Sequence, residues 1–146
     1  MFDASLCDTV LAMQLEFEAT TCDITVKVRV DYLDQSSQPS EGQFFWAYHV
    51  AIINHGVETI QLLKRSWRIT DANGRVRYVH GDGVVGKQPV LEPGAMFEYS
   101  SGTPLGTATG FMAGTYHMQL LPSGMPFDVA VPAFSLDSPY QNTRRH

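Results

Sequence analysis

From Asp23 to Tyr32 the chain alternates without a slip, setting Ile24, Val26, Val28, Val30 and Tyr32 against Thr25, Lys27, Arg29 and Asp31. A period of two marks an extended strand with one buried and one wet face, because successive side chains of a strand point to opposite sides. Such a face has to be covered by another layer of structure. The same short-period texture recurs along the chain between clusters of Gly, Pro, Asn, Asp and Ser, so the covering layer is expected to be a second sheet rather than helices.

Phe44 to Asn54 is apolar at almost every position, which predicts a central strand covered on both faces. Beyond the turn at Asn54, His55 and Gly56, Ile60 and Leu62 share one parity while Leu63, Trp67 and Ile69 share the other. A change of inward parity within one strand predicts a β-bulge near Leu62 to Lys64. Asp71-Ala72-Asn73-Gly74 carries the Asn-Gly pair that tolerates positive φ, so a hairpin returns the chain along Arg75 to His80. Glu92-Pro93-Gly94 is a further turn, followed by a short strand with Met96, Phe97 and Tyr99 and a loop over 100–110. Two closing strands are expected at Phe111 to Leu121 and Phe127 to Leu136, the second at an edge or kinked, since Pro132 cannot donate a ladder hydrogen bond. Asp34 to Gly42 reads as a loop. Leu6, Val10, Met13 and Phe17, at intervals of three or four, predict a short N-terminal helix.

The fold class that follows is all-β, an immunoglobulin- or fibronectin type III-like sandwich of about seven to eight strands. Its expected organisation is an N-terminal extension over 1–22, one domain over 23–137 and a disordered tail over 138–146. A length of 146 residues with 44% apolar and 17% charged residues suits one core. Ten Lys and Arg against 15 Asp and Glu give a net charge of −5, so the chain as a whole is repelled by a phosphate backbone and no nucleic-acid partner is expected. Cys7 and Cys22 are too few for a four-ligand zinc site and read as free thiols of a reducing compartment. The N-terminus lacks the pattern of a signal peptide, and no stretch approaches the roughly 18 to 20 apolar residues of a membrane span. No membrane partner and a cytoplasmic location are expected.

Gly81-Asp82-Gly83-Val84-Val85-Gly86 matches G-x-G-x-x-G, but Pro89 and Pro93 follow where a dinucleotide site needs a helix, so no cofactor is expected. What remains is a glycine-rich loop whose amides, at Gly81, Gly83 and Gly86 with Lys87 beside them, are candidates for holding a phosphate-type anion. The histidines His49, His55, His80, His117 and His146 have no metal-ligand spacing, and no metal site is expected. Asp71, Asp82, Glu92 and Glu98 read as solvated carboxylates, and Ser66, Ser100 and Ser101 lack a nucleophile elbow or a neighbouring histidine pattern. No catalytic residue, and so no enzyme, is expected. Aromatic and arginine side chains dominate binding hot spots, which makes Arg65, Trp67 and His80 the candidate surface for a protein partner. Sheet edges also allow two copies to pair as a homodimer.

Three ordered runs carry a resemblance to a known family: Leu62-Leu63-Lys64-Arg65-Ser66-Trp67-Arg68-Ile69-Thr70-Asp71, Val79 through Leu91, and Pro93-Gly94 with Phe97-Glu98-Tyr99-Ser100-Ser101-Gly102. With Gly110 through Tyr116 and Pro132-Ala133-Phe134, they closely resemble the ApaG family over roughly residues 23 to 137. The resemblance implies a fibronectin-like sandwich. It also implies a genetic association with cobalt resistance, magnesium efflux and a diadenosine polyphosphate hydrolase neighbourhood. Related domains in an F-box protein and a polymerase-interacting protein imply a protein-interaction module, and the family's glycine motif falls on Gly81, Gly83 and Gly86.

Overall fold

In the computed structural model, which describes residues 16–140, the alternating stretch is strand β2 (Ile24–Tyr32), with Ile24, Val26 and Val28 buried. Its β-branched side chains favour extended backbone because they pack well on a pleated surface. β1 (Glu16–Thr21) runs antiparallel to it through a two-residue turn in which Cys22 and Asp23 both hold positive φ. This corrects the expected helix at its Phe17 end only. Phe17 belongs to β1, pairs in register with Val28 and packs its ring 6.1 Å from that of Phe134, so sheet pairing overrides a weak helical period. Leu6, Val10 and Met13 lie outside the described residues.

β3 (Phe44–Asn54) lies between β2 and β7 (Met96–Leu105), giving a sheet of order β1-β2-β3-β7. The second sheet contains β4 (Thr59–Asp71), β5 (Val76–Asp82), the two-residue β6 (Val90–Leu91), β8 (Thr109–Leu121) and β9 (Pro126–Asp137). Its order is β5-β4-β8-β9, with β6 alongside β4. The two sheets pack face to face as a sandwich. Its centre holds Trp46, Tyr48, Trp67, Tyr116 and Phe134, with Tyr48 meeting Trp67 edge-on at 5.5 Å across the sheets.

The bulge expected near Leu62 to Lys64 is present as a register shift between those residues in the pairing of β4 with β8. The Asn-Gly hairpin is also present, with Gly74 at φ +83° and the Asp71 carboxylate accepting from the amides of Asn73 and Arg75. Pro132 satisfies both alternatives, since β9 is an edge strand and its register against β8 slips between Met112 and Gly114, opposite Phe134 and Val131. Three expectations are corrected. β3 is buried on one face only, because its odd-numbered residues form the half-exposed outer face of a two-layer sandwich. The loop expected over 100–110 shrinks to 106–108, since the buried Thr103 and Leu105 carry β7 onward and Ala108 is itself in the core. The tail begins packed: Ser138 is buried and the Tyr140 ring lies 6.2 Å from that of Tyr32, while residues 141–146 lie outside the described ones. Within Asp34 to Gly42 the chain forms two short 3-10 turns, Asp34–Ser36 and Pro39–Glu41.

Candidate functional site

The bulge in β4 decides which side chains reach the outer face of the second sheet. Past it, even-numbered residues face out, and the register lines them up in rows across the strands. Val76, Thr70 and Phe111 form one row, Tyr78, Arg68 and Ala113 the next, and His80, Ser66 and Thr115 the third. A fourth row runs Asp82, Lys64, His117 and Asp128. The apolar end is open to solvent, with Val76 45% and Tyr78 63% exposed on β5, the edge strand. A shallow groove of about 320 Å³ lies between Tyr78, Arg68, His80, Ser66 and Thr115, floored by Gly114 and one side of Trp67.

At the polar end the structure assembles a chain of hydrogen bonds that local sequence does not announce. Ser66 Oγ lies 2.8 Å from His117 Nε2, and His117 Nδ1 lies 2.8 Å from Asp128 Oδ1. The carboxylate has only acceptors, so His117 donates from Nδ1, and its neutral ring accepts the Ser66 hydroxyl proton at Nε2. His80 Nδ1, 3.1 Å from the same Oγ, then acts as a donor to Ser66. On the outer face of the first sheet, His49 is held likewise between Asp31 at 2.9 Å and Ser100 at 2.6 Å. Both histidines are hydrogen-bonded residues of an outer sheet face. Among the described residues no group of three or more His, Cys, Asp or Glu is arranged to hold a metal ion, and no helix is long and apolar enough to cross a membrane.

The candidate partner surface needs correcting at two of its three residues. Trp67 is 4% exposed, its ring packed among Tyr48, Tyr116 and Phe134 in the core. Arg65 shares its inward parity and bends round the sheet edge, donating from Nη1 to the carbonyls of Gly83 at 2.8 Å and Asp82 at 3.1 Å. It is a staple for the glycine loop. His80 alone of the three stands on the open face, where Tyr78 and Arg68 take the places expected of Trp67 and Arg65.

The glycine loop has structural reasons for its glycines. A side chain at Gly81 would meet the Arg65 guanidinium, and one at Gly83, where φ is +62°, would come 2.2 Å from the Lys87 carbonyl oxygen. Val85 and Gly86 both hold positive φ, as a tight two-residue reversal between Val84 and Lys87 requires. The amides of Gly83, Val84 and Lys87 are bonded to the carbonyls of Leu63, Lys87 and Val84 respectively. Among the described residues, the amides of Val85 and Gly86 meet no protein acceptor, and they sit at the exposed tip beside the exposed Lys87.

Residues 34–120 match the family model of the ApaG domain. Protein ApaG of Rhodospirillum centenum is 57% identical over 128 residues, covering 88% of this chain and 98% of that protein. Protein ApaG of Paramagnetospirillum magneticum is 56% identical over the same extent. A crystal structure of an ApaA protein from Bordetella pertussis matches with a TM-score of 0.78 and 45% identity, covering 83% of this chain and 98% of that one. A domain match across most of the sandwich, and relatives more than half identical along nearly their whole length, make this chain a member of the ApaG family.

Proposed function

We propose that this chain is a cytoplasmic, non-enzymatic binding module that takes an extended segment of a protein partner along β5. The observation that carries the reading is the edge position of β5 together with the exposure of Val76 and Tyr78 on one of its faces. An open edge offers unpaired backbone groups to an incoming strand, and alternate side chains beside it supply specificity. Lys64, Arg68 and Arg75 are exposed around the patch and, among the described residues, none of them is ion-paired, so the segment that fits alternates apolar side chains with carboxylates. A second copy of the chain is a rival occupant of the same edge. In this reading the cobalt and magnesium phenotypes associated with the family act through the partner.

Tyr78→Glu and Val76→Lys test it. Both sites are exposed, so the domain keeps its stability to within about 0.5 kcal/mol. Each variant is expected to reduce recovery of the co-purifying partner at least about tenfold, a loss of about 1.4 kcal/mol, whereas Val57→Glu at a distant exposed position leaves it unchanged. Equal recovery with all three variants removes the reading.

A second reading rests on the tip of the glycine loop. The amides of Val85 and Gly86 with the Lys87 ammonium form a small cationic corner suited to a phosphate-type anion. Titration with pyrophosphate should then move the amide resonances of Val85 to Lys87, and unchanged resonances at millimolar ligand dismiss it.

A further inference from the structure

Ser66 stands on the outer face of β4 with an imidazole on either side. Its hydroxyl donates to His117 Nε2 over 2.8 Å, and the opposite ring nitrogen donates to Asp128 over 2.8 Å. This order of contacts, a base on the hydroxyl and a carboxylate orienting the base, turns a weak hydroxyl into a nucleophile. We propose that Ser66 is a nucleophilic serine that accepts an acyl group from an activated ester, with His117 as its base and Asp128 as a positioning residue. The inference goes beyond the binding reading and does not depend on whether β5 holds a partner.

The adjoining groove gives the acyl donor a place to lie. Tyr78, Ala113 and Gly114 make an apolar surface suited to a small acyl group or an aromatic leaving group, and Arg68 stands two residues along the same face from Ser66. In the reaction, Ser66 Oγ bonds to the carbonyl carbon as its proton passes to His117 Nε2. The carbonyl oxygen then carries the negative charge, which the Arg68 guanidinium is placed to offset. Collapse of the tetrahedral adduct breaks the bond to the leaving oxygen, which takes the proton from His117. The products are a seryl ester and a free alcohol or phenol, with no change of oxidation state. The side chains of His117 and Asp128 are 37% and 67% exposed, so water screens their charges at every step. The event is a single acylation of Ser66, a stoichiometric modification of the chain.

The first sheet carries an internal comparison. Ser100, His49 and Asp31 are the same three residue types with the ring reversed, Nδ1 facing the serine and Nε2 the carboxylate. Glu16 and Glu98 line the cavity there together with Lys27 and Arg29, so its charges offset one another and the reversed ring is what distinguishes the two sites.

The test uses p-nitrophenyl acetate on the full chain, followed by intact mass measurement and peptide mapping. The expected result is one acetyl group, on Ser66, released with a burst of one nitrophenolate per chain. Ser66→Ala should abolish the burst, and His117→Gln should slow it about a hundredfold. Asp128→Asn, at an exposed edge position where the stability should change little, should slow the burst and shift the His117 nitrogen resonances away from the Nδ1-protonated tautomer. Acetyl groups confined to lysines, labelling of Ser100 in place of Ser66, or an unchanged rate in His117→Gln and Asp128→Asn would each overturn the assignment.

Discussion

The hydroxyl of Tyr99 meets the hydroxyl of Tyr116 at 2.5 Å in the buried space between the sheets, joining β7 of one layer to β8 of the other. Tyr48 lies nearby on β3, so three phenols share an interior flanked by the Arg65 guanidinium. Burial raises the pKa of all three above the ordinary 10.0, and Arg65 offsets only part of that rise.

The sign of the pH dependence follows. The unfolded chain releases these phenolic protons near pH 10 while the folded chain retains them, so their contribution to stability is complete below about pH 10 and is lost as pH rises toward the raised folded values. Urea unfolding should give equal midpoints at about pH 7 and about pH 9 as far as these groups are concerned, with a fall at about pH 11. The fall should be smaller in the Tyr99→Phe/Tyr116→Phe double variant.

The same pair predicts a non-additive cycle. Tyr116→Phe removes one hydroxyl and leaves the other buried without its partner, which should cost about 1–3 kcal/mol. Removing both hydroxyls should cost less than the sum of the single losses, measured by chemical denaturation.

Asn54 binds three segments together. Its buried amide group donates to the carbonyls of Glu58 at 2.9 Å and Leu91 at 3.0 Å, and its carbonyl accepts from Gly56 at 2.9 Å. Asn54→Ala should therefore cost about 2–4 kcal/mol, since each buried group left unpaired costs about 1–3. Faster hydrogen exchange at Gly56 should accompany the loss.

Within the glycine loop the positions are unequal. A side chain at Gly86 meets nothing within 4 Å and carries only the strain of φ +80°, whereas at Gly83 it collides with the backbone of Lys87. Gly86→Ala should cost about 1 kcal/mol and Gly83→Ala about 3 or more, read from urea midpoints. Gly83 substitution thus reports on the fold, and the anion reading is tested at Gly86 and Lys87.

Much of the fold was legible because its signals are local. The alternation of β2, the parity change that marks the bulge, the Asn73-Gly74 turn and Pro132 each act through neighbouring residues. β1 was hidden because Phe17, Ala19 and Thr21 make a weak inward face that becomes useful only beneath Phe134 and β2. The end of β7 was hidden by a Ser-Ser-Gly-Thr-Pro composition typical of loops. The candidate site depends on register. Ser66, His117 and Asp128 meet only once β4, β8 and β9 are aligned, and the serine and its histidine are 51 residues apart. One signal was present and misread: the bulge that turns Trp67 and Ile69 inward turns Arg65 inward with them, leaving Arg68 outside.

The central claim, that an extended partner lies along β5, is tested most directly by placing a photoreactive phenylalanine in turn at positions 76 to 80 and irradiating the chain in cells. The account predicts a period of two, with one discrete protein captured from 76, 78 and 80 and little from 77 and 79, whose side chains belong to the other face. Capture of equal strength from all five positions, or from Val57 as readily as from Tyr78, would contradict it.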